Sequence, residues 1–197
     1  MEFRFNFEKS LQAAAYLLHL EDGKMPYLRL LKLLYIAERE LLAQKATPLT
    51  GDIYKAMEHG PVLSHVYDLI KGNGARSAEW ERFITRAGYA VKLVRPPGRG
   101  ELSGDVIDKL DEVSSRNREK GNWEIRDLTH DFPEWKKNYP GDGGAALIPL
   151  DDILEAQGEG SDTLDLIREA ETVRLHMNKI FGAGKPEVAS ETVGSIA

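Results

Sequence analysis

Residues 28–72 read LRLLKLLYIAERELLAQKATPLTGDIYKAMEHGPVLSHVYDLIKG, and this stretch decides the fold. From Leu28 to Ile36 the polar groups are Arg29, Lys32 and the phenol of Tyr35. A helix that apolar has to be covered by protein on most of its circumference. Thr47-Pro48-Leu49-Thr50-Gly51 ends it, because Pro lacks the N–H that the ladder needs and Gly accepts turn geometry. Gly60-Pro61 reads as the start of another helix, with Pro in the first turn where its missing amide is not needed. Lys71-Gly72 closes that helix with a cation in the last turn and a glycine suited to a left-handed cap. The block predicts packed helices at 26–43 and 61–71, with a short strand or irregular segment over 53–57.

Upstream, Asn6 is placed to cap a first helix whose Leu11, Ala14, Ala15 and Leu18 recur at helical spacing. Downstream the period changes. Tyr89, Val91 and Leu93 alternate with Ala90, Lys92 and Val94, which predicts a β-hairpin over 80–94 turning at Arg86-Ala87-Gly88. Ser103 then caps a helix carrying Val106, Leu110 and Val113, and a short helix holds Trp123, Ile125 and Leu128. Asp131 and Glu134 around Pro133 resemble a capping box and set Phe132, Trp135 and Tyr139 at successive turns. A short helix ends at Gln157. The last helix carries Leu166, Ala170, Val173, Met177 and Ile180 at heptad spacing. The expected architecture is α+β and predominantly α-helical: a single compact helical domain over 1–160 with a small β-hairpin or sheet element. A C-terminal amphipathic helix over 161–181 packs on that domain or on a partner, and 182–197 forms a flexible tail.

Several of these runs resemble one family. LLKLLYIAERE, PLTGDIYKAMEHGPVLSHVYDLIKG and WEIRDLTHDFPEWK are similar, in that order, to the Panacea or SocA-like antitoxin domain, over roughly the first three quarters of the chain. The resemblance implies a bacterial or phage protein that neutralises a toxin encoded beside it by direct binding, possible partners being that toxin, a protease or chaperone, and a second copy. One branch of the family delivers its toxin to a protease as an adaptor. Within the matching runs, Lys32-Leu33-Leu34-Tyr35 reads as core, and Asp127-Leu128-Thr129-His130 implies a packing or binding role.

Bulk properties agree with a single ordinary domain. The chain has 197 residues, 42% hydrophobic and 29% charged, as globular proteins do. It has no cysteine, hence no disulfide, thiol nucleophile or thiolate metal site. No run approaches the ~18 apolar residues that cross a bilayer, and MEFRFNFEKS lacks the order of a secretion signal, so a cytoplasmic location is expected. The net charge of −6 is uneven: residues 101–175 hold nineteen Asp/Glu against nine Lys/Arg, whereas 73–100 hold six Lys/Arg against two acids. An acidic half of this kind attracts a cationic partner.

Chemical sites are sparse. His59 and His65 flank Gly60-Pro61 near Glu58 and Asp68, but the spacing matches no zinc motif, and a hydrogen bond from His65 to Asp68 is the simpler expectation. Ser64 beside His65 is no nucleophile pair, since adjacent helical residues do not face each other. Gly72-Asn73-Gly74 lacks the Lys-Ser/Thr of a phosphate loop. The expectation is no enzyme, no catalytic residue, no metal and no cofactor. Candidate toxin contacts are Val173, Met177, Ile180 and Phe181 on the last helix, with His130 and Trp135. Two other readings stand beside this one. In the first, a winged-helix-like DNA-binding regulator touches phosphate through Arg82, Arg86, Lys92 and Arg95. In the second, a metal-dependent hydrolase is centred on His59 and His65.

Overall fold

A computed structural model describes residues 3–181; the predicted tail at 182–197 lies outside the described residues. In chain order the elements are α1 (Phe7–Leu20), β1 (Lys24–Pro26), α2 (Tyr27–Lys45), β2 (Tyr54–Met57), β3 (Gly60–Leu63), α3 (Ser64–Lys71), α4 (Ser77–Trp80), β4 (Ile84–Ala87), β5 (Ala90–Leu93), α5 (Gly104–Asn117), α6 (Asn122–His130), α7 (Pro133–Asn138), β6 (Ala146–Leu147), α8 (Leu150–Glu155) and α9 (Ser161–Phe181). The fold is α+β and predominantly helical, as expected.

The apolar helix is the hub. Twelve residues of α2 are buried, Leu30, Leu31, Leu33, Leu34 and Ile36 among them, and α1, α5, α6, α8 and β3 pack around it. Three charged residues are buried in the same helix, Arg29, Lys32 and Glu38, and each holds one flanking segment. Arg29 grips Glu21 bidentately and donates to the Lys120 and Asn117 carbonyls, which locks the end of α5. Glu38 accepts from the Thr50 amide and hydroxyl at 2.7 Å and from the Tyr54 hydroxyl at 2.9 Å, which pins the loop after α2. Burial pushes the Glu38 carboxyl above its usual range. The α2 C-cap is Ala46 in the left-handed region (φ 49°), a place without the glycine that normally marks such an end.

Two antiparallel sheets flank this hub, in the orders β1-β5-β4 and β3-β2-β6. The hairpin expected over 80–94 is present, turning at Gly88-Tyr89, one residue later than the sequence suggests. Asn6 caps α1 through Oδ1, which accepts from the Lys9 amide at 3.0 Å.

Three local expectations are corrected. Gly60-Pro61 does not start a helix: Gly60–Leu63 is a strand paired with β2, and the helix begins at Ser64. The reason is that β3 lies at the edge of its sheet, where a Pro without N–H is tolerated as readily as in a first helical turn. A hairpin therefore stands between α2 and α3, where a helix-turn-helix needs a short turn. The Asp131–Glu134 capping box is likewise absent. Phe132 occupies the cap position with no side-chain bond, Asp131 pairs with Lys136, and Glu134 turns inward. Ser103 sits at the N-cap of α5 but its hydroxyl makes no cap bond.

Candidate functional site

Three segments distant in sequence converge at one point of the structure: α2 at Lys32, the β2–β3 turn at Gly60-Pro61, and the end of α6 at Thr129-His130. Lys32 is fully buried, and its hydrogen bond among the described residues goes to the Pro61 carbonyl at 2.7 Å. It neither reaches solvent nor pairs with an acid among the described residues. Burial first, and the nearby Arg126 cation second, hold the amine well below its ordinary range. Gly60 has φ +93°, and a Cβ there would stand 2.7 Å from Thr129 Oγ1 and 2.8 Å from Lys32 Nζ. Only glycine fits this junction.

The junction is braced from behind by α7. Trp135 Nε1 donates to the Met57 carbonyl at 3.0 Å, and its ring stacks on His130 at 4.0 Å and on Tyr139 at 4.9 Å. The His130 Nε2 is buried and has no hydrogen-bond partner among the described residues. Burial, then the Arg126 and Lys32 cations, lowers its pKa, which disfavours the charged form of the stacked ring. Glu134 accepts from Arg39 Nε at 2.8 Å, Arg39 Nη2 at 3.2 Å and the Tyr35 hydroxyl at 3.2 Å, with the Arg39 guanidinium over the Phe132 ring. The Tyr35 hydroxyl thus finds the partner a buried phenol requires.

On the outer side of the junction lies a cleft of about 610 Å³, bounded by Tyr27, Leu31, Val62, Tyr67, Tyr89 and Trp123. Tyr89 is 83% exposed and Trp123 59% exposed, at the hairpin tip and the first turn of α6. Sequence reasoning did not single out this cleft. The available signal was an aromatic residue in each of two turns, Gly88-Tyr89 and Gly121-Asn122-Trp123, where water-facing side chains are usually small or polar.

The remaining candidates are dispersed. On α9, Val173 and Met177 are exposed at 56% and 50%, while Ile167 is buried; the side chains of Ile180 and Phe181 lie outside the described residues. Arg82, Arg86, Lys92 and Arg95 are exposed near the β4–β5 hairpin, with Arg95 over the Phe83 ring and bonded to the Arg82 carbonyl. His59 faces Trp123, whereas His65 stacks on Phe5. Among the described residues no three His, Asp or Glu side chains stand close enough to hold a metal ion. No helix among them is long and apolar enough to cross a membrane.

His65 bonds not to Asp68 but to the buried Asp52, Nδ1 to Oδ1 at 2.8 Å. Asp52 also accepts from the His65 and Val66 amides and thereby caps α3. The hydrogen bond to Asp52 raises the His65 pKa above its ordinary value. A raised folded-state pKa stabilises fully below the unfolded value near ~6.5, and that contribution is lost as pH rises through the folded value. His65→Gln is expected to reduce the thermal midpoint most at pH 5.5–6.5, the gap to the parent narrowing toward pH 9. A pH-independent gap measured by thermal melts would assign His65 a packing role only.

A family model described as Antitoxin SocA-like, Panacea domain, matches residues 30–136, the span from α2 to α7 that contains the whole junction. No curated protein and no solved structure matches the chain. The chain belongs to the SocA-like antitoxin, Panacea domain, family.

Proposed function

We propose that this member of the SocA-like antitoxin family neutralises a toxin by direct protein–protein contact, covering a surface the toxin needs. The observation that carries the reading is the family match over 30–136, which coincides with the junction of Lys32, Gly60-Pro61 and Thr129. The chain's buried polar groups are occupied mainly with holding its own elements together, as Arg29, Glu38 and Glu134 do. A protein of that design acts through shape and apolar contact.

The neutralising surface includes the outward face of α9, where Leu166, Val173 and Met177 leave an apolar stripe in water, continued in sequence by Ile180 and Phe181. Met suits adaptable recognition. His130 and Trp135 act one layer back, stacked on each other beneath the junction. Nineteen Asp/Glu against nine Lys/Arg over 101–175 favour a basic toxin, chiefly by speeding encounter.

The test is co-expression. The product of the gene beside this one should arrest growth alone and be harmless with this protein present. A V173E/M177E double variant should lose protection, because charges in a desolvated contact cost about 2 kcal/mol or more each. Its thermal midpoint should stay within the small range usual for exposed positions. Full protection by that variant would remove α9 from the surface. Toxin level read in the same cells separates blocking, which leaves the toxin abundant, from delivery to a protease, which depletes it.

A further inference from the structure

We propose that the cleft between α2, the β2–β3 turn and the start of α6 binds a small organic anion with a flat aromatic body, an aromatic carboxylate being the simplest member of the class. The site is distinct from the α9 surface, and the proposal stands whether or not the toxin reading holds.

Size and wall chemistry come first. A volume of about 610 Å³ lies within the range of small-molecule sites. The walls are flat: Tyr27 and Tyr89 stack at 6.2 Å, and Trp123, more than half exposed, lines the same cleft with the Arg126 guanidinium over one face. An exposed Tyr89 and an exposed Trp123 on either side of an apolar floor leave surface that an aromatic ring would desolvate.

Charge decides the rest. Three rings of the cleft, Tyr27, Tyr67 and Trp123, already carry cations of the protein itself. Lys71 Nζ lies 4.4 Å from the Tyr27 ring and 5.3 Å from that of Tyr67, and also donates to the Tyr27 hydroxyl. Arg126 lies 4.7 Å over Trp123, beside Asp127. A cationic ligand would meet like charge at these rings. Behind the Gly60 wall sits Lys32, a buried amine bonded to one carbonyl and paired with no carboxylate among the described residues; the acid at the cleft, Glu58, is exposed at its edge. Its ammonium form has three donors, and the Pro61 carbonyl accepts one. A bound anion is the counter-charge this amine lacks, and burial explains why the amine is held below its ordinary range until one arrives.

The experiment titrates the full chain with three probes of one shape and different charge: 1-naphthoate, 1-naphthalenemethanol and 1-naphthylmethylammonium. Tryptophan fluorescence and calorimetry report binding. The expected result is one site per chain, with naphthoate at least about tenfold tighter than the alcohol and the ammonium weakest. Trp123→Ala and Tyr89→Ala should weaken all three probes. Lys32→Met should erase the preference for naphthoate while leaving the alcohol bound. Should that variant not fold, Lys71→Gln, at the protein surface, should lower the naphthoate-to-alcohol ratio severalfold. Equal affinity for the three probes, no saturable naphthoate binding up to millimolar concentration, or naphthoate binding untouched by Trp123→Ala and Tyr89→Ala would each overturn the proposal.

Discussion

Glu134→Ala is expected to lower the unfolding free energy by about 3–5 kcal/mol, the range for breaking a buried ion pair from one side. Glu134 is 1% exposed and is the shared acceptor of Arg39 and Tyr35. Removing it leaves a guanidinium that is itself mostly buried, with no other ion pair among the described residues, and a phenol whose hydrogen has lost its acceptor. For a chain of this size the thermal midpoint should fall by roughly 6–20 °C. The companion experiment separates charge from packing. Glu134→Leu combined with Arg39→Met replaces the pair by apolar volume and should recover at least half of the loss, because the desolvation of both charges disappears with them. A single-variant loss near ~1 kcal/mol, the scale of an exposed pair, would show that water reaches this network.

Gly60→Ala should cost about 3 kcal/mol or more, from two sources acting together. A φ of +93° is strained for any residue with a Cβ, at about 1–3 kcal/mol. The new methyl group also meets Thr129 Oγ1 and Lys32 Nζ inside 3.0 Å, an overpacking of the kind that costs about 1–3 kcal/mol. Gly72 supplies the control, with φ +81° and open space where its Cβ would go. Gly72→Ala carries the backbone term alone and should be milder by at least about 1 kcal/mol in urea denaturation. Thr129→Ala in the Gly60→Ala background should restore part of the difference. Equal losses at both glycines would mean that the junction of Lys32, Gly60 and Thr129 yields without resistance. If the junction positions the neutralising surface, Gly60→Ala should also weaken protection in cells at temperatures where the chain remains folded.

The sequence was most legible where one element answers to its own neighbours. Asn6 caps α1, the alternation around Val91 makes a hairpin, and the predominantly apolar run Leu30–Ile36 makes α2 the hub. It was least legible where two structures share one local signature. Pro61 satisfies both a first helical turn and an edge strand, and only the pairing of Ala56 with Pro61 separates them. Strands of two and three residues, Ala146–Leu147 and Lys24–Pro26, are too short to show any period. Glu134 looked like a cap because its partner Arg39 lies on a helix far away in sequence. The same distance concealed the meeting of Lys32 with the Pro61 carbonyl and of Gly60 with Thr129. The motif runs each named one side of the junction, and none of them states that they touch.

The reading as a binding protein meets its sharpest trial in a single titration. The purified product of the gene beside this one, the toxin of the proposal, is mixed with increasing amounts of this chain, and toxin activity and complex mass are followed in the same samples. The account predicts that activity falls in proportion to a complex of defined stoichiometry and is lost once that complex is saturated. Toxin activity that persists in the saturated complex, or that disappears with no complex formed, would contradict it.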